Sequence, residues 1–343
     1  MKVWQRAVGL VVAAVLVPTL SLAQPPVPGP PPAGTMPDAQ TPSPERAKGG
    51  DAAKPSGNAR RDAFVAARKA LNTRLVDRAF ENDKIDDPPK ETSKLVSYPS
   101  EVGELKAYLT VHAADGKQHP AIVWVHGGDA NSIGEFWTDP IDPSNDQSAR
   151  MFAKAGVVTM YPQLRGGNGG PGKREGYLGE VNDVIAAAKW LAKQENVDPA
   201  RIYLGGHSTG ATIVLLTAEL SDDFRAIFSL GPVDNPAGYG ARYNPYQMNI
   251  PAETRVRSPI NWLPAITRPT FVIEGDGGNA ESVLMMSSRP HPKCVQFLVV
   301  KGEDHFSMLH QEATVLASKI LADTGEVCNI SITAAEVRPA KKK

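Results

Sequence analysis

The chain has 343 residues, with 37 Lys and Arg against 37 Asp and Glu, so its formal net charge at pH 7 is zero. A balanced charge gives no support for a nucleic-acid partner, because phosphate binding needs a basic surface. The length suits one α/β domain with extensions. Two cysteines, Cys294 and Cys328, predict either one disulfide or two separate thiols, and two alone do not favour a metal centre.

The N-terminus has the pattern of a secretory signal over residues 1–23. Lys2 and Arg6 precede an apolar stretch that is too short to span a bilayer comfortably, and residues 21–23 end in a small-x-small pattern. We therefore expect cleavage before Gln24, no stable membrane span afterwards, and a periplasmic or secreted protein. An uncleaved N-terminal anchor is the alternative.

Two segments precede the main domain. Residues 24–57 are rich in Pro, Gly, Ala and Ser, which predicts a disordered linker because such a composition cannot bury a core. Residues 58–92 form a predicted helical arm, in which an amphipathic helix over 59–80 docks on the main domain or, as the weaker alternative, lies on a membrane surface. Its apolar face carries Phe64, Leu71 and Leu75.

Residues 93–335 alternate between strand-like and helix-like segments. The strand-like segments are 94–98, 105–111, 121–125, 157–161, 202–204, 226–230, 270–273 and 296–300, and the helix-like segments are 180–193, 211–220 and 312–321. This alternation predicts a mainly parallel sheet with helices on both faces. A short strand over 330–333 and a basic tail over 336–343 follow. A glycine-rich dinucleotide motif is missing after the first strand, so we expect no cofactor.

The central motif is Gly206-x-Ser208-x-Gly210, which lies between an apolar strand and an apolar helix. Strand, sharp turn and helix are the context of a nucleophile elbow. The flanking glycines are needed because a Cβ atom there would meet neighbouring backbone. Ser208 is therefore the candidate nucleophile, and the helix N-terminus would stabilise a developing oxyanion.

A serine nucleophile needs a base and an oxyanion hole. His305 follows the last long strand and precedes a helix, which is where an α/β-hydrolase base lies. The two N–H donors would come from Thr209, just after the serine, and from Gly128 or Asp129 in the loop after the strand that ends at residue 125.

These motifs together look like the α/β-hydrolase superfamily: GGHSTG around Ser208, GEDHFS around His305, and VHGG at 125–128. LRGGNGG at 164–170, followed by GEVND at 179–183, is similar to the prolyl oligopeptidase catalytic domain and the dienelactone hydrolase group. The resemblance covers about residues 93–323. It implies an eight-stranded, mostly parallel sheet and acyl transfer through Ser208. It does not imply peptidase activity, because no segment is long enough to form a propeller.

The chain departs from this pattern at the catalytic acid. Those families carry an aspartate three residues after the glycine that ends the penultimate strand, and here Gly278 takes that place. We expect Asp276 to be the acid, with Glu281 as the alternative. Glu274 at the strand end and Asp234 after the preceding strand rank lower, because the acid must reach and orient the imidazole.

The sequence thus predicts an exported serine hydrolase that cleaves an ester, or less readily an amide, of a small molecule or short peptide through an acyl-enzyme. Two alternatives are a non-catalytic ligand-binding member of the fold and a peptidase of prolyl oligopeptidase type. A metal-dependent hydrolase using His126, His207 and His305 has no ligand-spacing motif behind it. The insert over 231–264, which carries three tyrosines and a tryptophan, is a candidate lid.

Overall fold

The computed structural model describes residues 56–76, 84–88, 90–111, 115–134 and 142–337. The predicted signal sequence, residues 24–55 of the predicted linker, and residues 338–343 of the predicted tail lie outside the described residues. Among the described residues, no helix has both the length and the apolar character needed to cross a bilayer.

In the part of the chain that the structure describes, eight strands form one sheet. They are β1 (Ser93–Ser100), β2 (Gly103–Thr110), β3 (His119–Val125), β4 (Val158–Pro162), β5 (Val197–His207), β6 (Ile227–Leu230), β7 (Thr270–Gly275) and β8 (Val295–Val300). Their order in the sheet is β1-β2-β4-β3-β5-β6-β7-β8. β2 runs antiparallel to both its neighbours, and all other pairs are parallel. The parallel strands are almost continuously apolar because both their faces are covered.

Seven α-helices of the described ranges pack around the sheet. They are α1 (Gly57–Lys69), α2 (Arg150–Ala155), α3 (Glu180–Leu191), α4 (Thr209–Leu220), α5 (Pro251–Arg257), α6 (Ala280–Ser287) and α7 (Met308–Ala322). One apolar cluster joins the sheet to α1, α3, α4 and α6, and a second joins the other face to α2 and α7. The predicted eight-stranded, mostly parallel sheet with helices on both faces is confirmed.

Three local predictions differ from the structure. The first helix ends at Lys69 rather than residue 80, because Asn72 and Thr73 favour turns over helix, and Leu75 instead forms a β-bridge with Tyr246. The last helix begins at Met308, four residues earlier than predicted. Residues 330–333, which are described, are irregular rather than a strand.

The two cysteines are free thiols. Cys294 packs against the cluster on one face of the sheet and Cys328 against the cluster on the other. Of the two predicted arrangements, the disulfide is therefore wrong and the separate thiols are found, because a covalent bridge needs Cα atoms within about 7 Å of each other. Sequence spacing gives no information on which face of the sheet each thiol reaches.

Helix α1 docks on the domain through one buried aromatic side chain. Phe64 is fully buried and stacks on Trp262, with 4.7 Å between ring centroids. Arg61 adds an ion pair to Asp222 at 2.5 Å. We expect Phe64→Ala to lower the free energy of unfolding by ~3 kcal/mol, because the variant loses buried area and leaves a cavity.

Urea denaturation followed by circular dichroism measures this change. Asp62→Ala, at an exposed position of the same helix, is the matched control and should change stability by less than ~0.5 kcal/mol. A loss of under ~1 kcal/mol for Phe64→Ala would mean that α1 docks only loosely.

Candidate active site

Ser208 lies at the sharp turn between β5 and α4. Its backbone has φ 55° and ψ −119°, a conformation that costs energy for a residue with a side chain and that clusters at functional sites. A Cβ atom at Gly206 would lie 2.7 Å from the Val125 carbonyl oxygen, and one at Gly210 would overlap the same oxygen. Only glycine fits at either position, so the turn has the geometry of a nucleophile elbow.

The residues predicted to form the oxyanion hole lie together. Thr209 begins α4, so its N–H has no carbonyl partner within the helix. The Thr209 hydroxyl donates to the Gly128 carbonyl oxygen at 2.8 Å, which ties the loop after β3 to the start of α4. Gly128 has φ 70°, a left-handed conformation that favours glycine.

His305, in the loop between β8 and α7, pairs with a buried carboxylate. Its Nδ1 lies 2.8 Å from Oε2 of Glu274, whose side chain has no exposed surface. Glu274 Oε1 accepts a hydrogen bond from Gly275 N at 2.8 Å, and Oε2 accepts one from Asn279 N at 2.9 Å. The carboxylate is therefore held by two backbone donors and one imidazole nitrogen, which fixes the orientation of the ring.

The structure thus places Glu274 beside the imidazole, and the predictions of Asp276 and Glu281 for this position are wrong. Asp276 is exposed and accepts a hydrogen bond from Gly302 N at 2.9 Å, so it joins two loops. Glu281 is exposed in the first turn of α6. Asp234 accepts a hydrogen bond from Ser282 at 2.8 Å.

The reason for the different acid is visible at two glycines. A Cβ atom at Gly278 would lie 2.5 Å from Oε1 of Glu274, and one at Gly231 would lie 2.9 Å from its Oε2 and 2.7 Å from His305 Cε1. The Glu274 side chain fills the space that a side chain at position 278 would enter. The available sequence signal was a glutamate at the end of an apolar strand, since such a residue is buried only with partners.

Ser208 and His305 lie at the same edge of the sheet, yet no hydrogen bond joins their side chains in the described part of the chain. Catalytic hydrogen bonds are often long without substrate. The Ser208 side chain instead contacts the hydroxyl of Tyr239, which also bonds to Thr212 at 2.9 Å. Burial raises the pKa of Tyr239, so its hydroxyl stays protonated. Tyr239 belongs to the predicted lid insert, and sequence alone did not assign it a place.

A narrow pocket opens beside the oxyanion residues, with a cavity volume of about 20 Å³, and it is partly open to solvent. Its walls are largely apolar or aromatic, with one charged pair at the side. Arg174 lines the pocket and bonds through both terminal nitrogens to the Asp129 carboxylate. Burial lowers the pKa of Arg174 to about 10. The other lining residues include Gly128, Thr209, Tyr177, Ile213 and Tyr243.

The glycine-rich stretch at 164–170 and the pocket loop after it are anchored by Arg165. Its guanidinium bonds to both carboxylate oxygens of Asp183 on α3 at 2.9 Å, and to Glu175 at 2.6 Å. A Cβ atom at Gly179 would overlap this guanidinium. The ion pair therefore positions the loop that carries Arg174 and the other pocket residues.

The three histidines weighed as metal ligands have other contacts. The His126 ring nitrogens lie at the carbonyl oxygens of Gly127 and Ser132, at 2.7 and 2.5 Å. The His207 ring bonds to the His305 main chain, and His305 pairs with Glu274. Within the described ranges, no group of three or more His, Cys, Asp or Glu side chains is close enough to hold a metal ion.

The strand order, the elbow and the buried His–Glu pair define an α/β-hydrolase fold with a serine-hydrolase site. Residues 143–312 match the prolyl oligopeptidase family. An uncharacterized peptidase, YtmA of Bacillus subtilis, is 30% identical over 181 residues, which cover 49% of this chain and 66% of that protein. Over residues 143–312 the chain is therefore similar to the prolyl oligopeptidase family, and its site has the arrangement of a serine hydrolase.

Two solved structures illustrate the likeness in fold. The acylaminoacyl peptidase of Pyrococcus horikoshii has a TM-score of 0.54 at 15% identity, over 72% of this chain and 44% of that one. An esterase of Pyrobaculum calidifontis has a TM-score of 0.51 at 18% identity, over 77% of this chain and 91% of that one. At these identities the match concerns the fold alone. The chain spans less than half of the Pyrococcus enzyme.

Proposed function

We propose that the protein is an exported serine hydrolase that cleaves an ester, or less readily an amide, through Ser208, His305 and Glu274. The observation that carries this proposal is the 2.8 Å contact between His305 Nδ1 and the fully buried Glu274 carboxylate, beside a serine on a strained elbow. A carboxylate in this place orients the imidazole and stabilises its protonated form.

In the proposed reaction, His305 Nε2 takes the proton from the Ser208 hydroxyl as the oxygen attacks the substrate carbonyl carbon. The developing oxyanion accepts hydrogen bonds from the backbone N–H groups of Thr209 and Gly128. The imidazolium then gives its proton to the leaving group, and an acyl-enzyme remains on Ser208. A water molecule, activated by His305, hydrolyses this intermediate and restores the free serine.

A non-catalytic ligand-binding protein of the same fold has little support. That alternative depends on the loop after β7, where Gly278 stands at the position expected for the catalytic aspartate. Glu274 provides a carboxylate with two backbone donors and an imidazole partner. Burying a carboxylate costs free energy unless the group is paired and hydrogen-bonded. Its pairing with the candidate base therefore favours an active triad.

The small pocket beside Thr209 favours a short acyl group over a long one. Its space is limited, and its walls carry Ile213, Tyr177 and Tyr243, which favour apolar or aromatic groups. The charged pair of Arg174 and Asp129 limits how far an apolar chain can extend along that side. We infer that the substrate is a small molecule or a short peptide derivative.

A peptidase is the second candidate, and the family match favours it. Residues 143–312 match a family named for a peptidase, and the Bacillus relative is called one. Initial rates with short-chain aryl esters and with aminoacyl arylamides of the same acyl group would separate the two. Ester cleavage alone supports our proposal, and faster arylamide cleavage supports the peptidase.

A fluorophosphonate probe tests the nucleophile directly. The wild-type chain should be labelled at one residue, Ser208, and mass spectrometry of the labelled peptide would identify it. Ser208→Ala should not react. An unlabelled, folded wild-type protein would leave the ligand-binding alternative as the better account.

Export is proposed from the signal pattern of residues 1–23 alone. Expression of the full chain in a bacterial host followed by cell fractionation is the test. We expect a periplasmic or secreted product whose N-terminus is Gln24. A product retained in the membrane fraction with an intact N-terminus would instead support the uncleaved anchor.

A further inference from the structure

His207, the last residue of β5, packs its ring against the ring of His305. The two imidazole rings are 4.5 Å apart at an interplanar angle of 40°. His207 Nε2 lies 3.0 Å from the His305 backbone carbonyl oxygen, and since a carbonyl only accepts, the nitrogen donates. The side chain is 1% exposed. The residue before the candidate nucleophile thus holds the main chain of the candidate base.

The second ring nitrogen of His207 faces the oxyanion loop. A Cβ atom at Gly127 would lie 2.8 Å from His207 Nδ1, so a larger residue at 127 would push the ring away. Nδ1 has no hydrogen-bond partner among the described residues, and it is an acceptor, because Nε2 carries the proton. One buried ring therefore touches the loop after β3 and the loop after β8, while its own main chain leads into the Ser208 elbow.

The His207 ring is neutral at every pH at which the fold is expected to work. Burial, with a smaller contribution from the neighbouring His305, lowers the pKa of His207 to about 3. A cation in this place would oppose the imidazolium that forms on His305 during turnover. A neutral His207 ring instead presents its π face to the His305 imidazolium, and the interaction between a cation and a π face is attractive.

We propose that His207 is a positioning residue that fixes His305 through its carbonyl and presents a neutral aromatic face to it. This inference rests on the proposed function, because it assigns His305 the role of the base. Two separable contributions follow from it. The Nε2–H donor sets the place of the His305 loop, and the ring stabilises the protonated state of His305.

Two variants separate these contributions. In His207→Gln, the side-chain amide nitrogen stands the same number of bonds from Cβ as Nε2, so the donor is kept and the ring is lost. In His207→Phe, the ring is kept and the donor is lost. We expect the Phe variant to lower kcat for an aryl ester by ~10- to 100-fold with KM within twofold, because a shift of about 1 Å in a catalytic group has effects of this size.

The pH profile of kcat/KM gives the second readout. In the Gln variant the acidic limb should move to lower pH by roughly half a unit, because the face that favours the cation is gone. In the Phe variant the limb should stay in place. If His207 had only a structural role, both variants would be less stable. The loss of kcat would then not be confined to the Phe variant, nor the shift of the acidic limb to the Gln variant.

The matched control is His291→Leu, which changes a histidine in the loop before β8, at the opposite edge of the sheet from the site. It should leave kcat and the pH profile unchanged. The proposal would be overturned if the folded Gln and Phe variants both kept kcat within threefold of wild type. It would also be overturned if both variants lost kcat equally and the acidic limb of kcat/KM stayed in place in both. Labelling of the wild type by a fluorophosphonate in the same preparation shows whether only this inference, or the serine mechanism itself, has failed.

Discussion

Replacing Ser208 by alanine should lower kcat/KM for a short-chain aryl ester by at least ~10³-fold, because the acyl-enzyme can no longer form. Folding should be unaffected, since alanine removes only the hydroxyl from a half-buried side chain. The remaining hydrolysis would come from the oxyanion donors and substrate binding alone. Initial rates over a range of ester concentrations, with a circular dichroism spectrum of each protein, measure this effect.

Ser288→Ala is the matched control for this experiment. Ser288 follows α6 and is exposed, and its hydroxyl donates to the Met285 carbonyl oxygen at 2.7 Å. It should keep full activity. A folded Ser208→Ala protein with activity within tenfold of wild type would remove Ser208 as the nucleophile, and the search would then turn to a water-based mechanism at the same edge of the sheet.

The sheet and the elbow were predictable because local patterns determine them. Continuous apolar runs such as 121–125 and 271–273 indicate strands covered on both faces, and the structure places each of them inside the sheet, between two neighbouring strands. Gly206 and Gly210 were predictable as obligatory glycines, because close backbone approach at an elbow excludes any side chain. His305 followed from chain order, since the base comes after the last strand of the fold.

The acid was not predictable, because its identity depends on reach in three dimensions rather than on position along the chain. Glu274 stands at the strand end, four residues before Gly278, and its longer side chain brings the carboxylate to the space beside that glycine. A sequence motif specifies the acid by its number of residues from the strand end. It therefore misses an acid that stands earlier in the chain and reaches the same place with a longer side chain. Asp276 had the right chemistry, but its carboxylate bonds to the neighbouring loop.

The role of His207 was equally hidden. A histidine before the nucleophile serine carries no periodic signal, and its contacts come from residues about 80 and 98 positions away along the chain. The same holds for Tyr239, which the sequence places only within a long insert. Contacts between distant loops are decided by packing, so they are visible only in the folded chain.

Replacing Glu274 by glutamine should lower turnover of the aryl ester by up to ~10⁴-fold near neutral pH. Glutamine keeps the shape of the side chain, but an amide can no longer stabilise the imidazolium and favours the wrong tautomer of His305. Asp276→Asn and Glu281→Gln are the matched controls, and each should cost less than about threefold, because neither carboxylate bonds to His305. If only Asp276→Asn lost activity, Asp276 in the loop after β7 would be the catalytic acid instead of Glu274.

A double variant tests the same point from the opposite direction. Glu274→Gly removes the carboxylate, and Gly278→Asp supplies another whose Cβ would start 2.5 Å from the position of the original Oε1. We expect the double variant to be at least about tenfold more active than Glu274→Gly, because the new carboxylate reaches the same imidazole nitrogen. Gly278→Asp alone should be poorly active or unstable, because two carboxylates would then compete for one buried space. A double variant no more active than Glu274→Gly would mean that the two backbone donors to Glu274, and not the place of its carboxylate alone, are needed to orient His305.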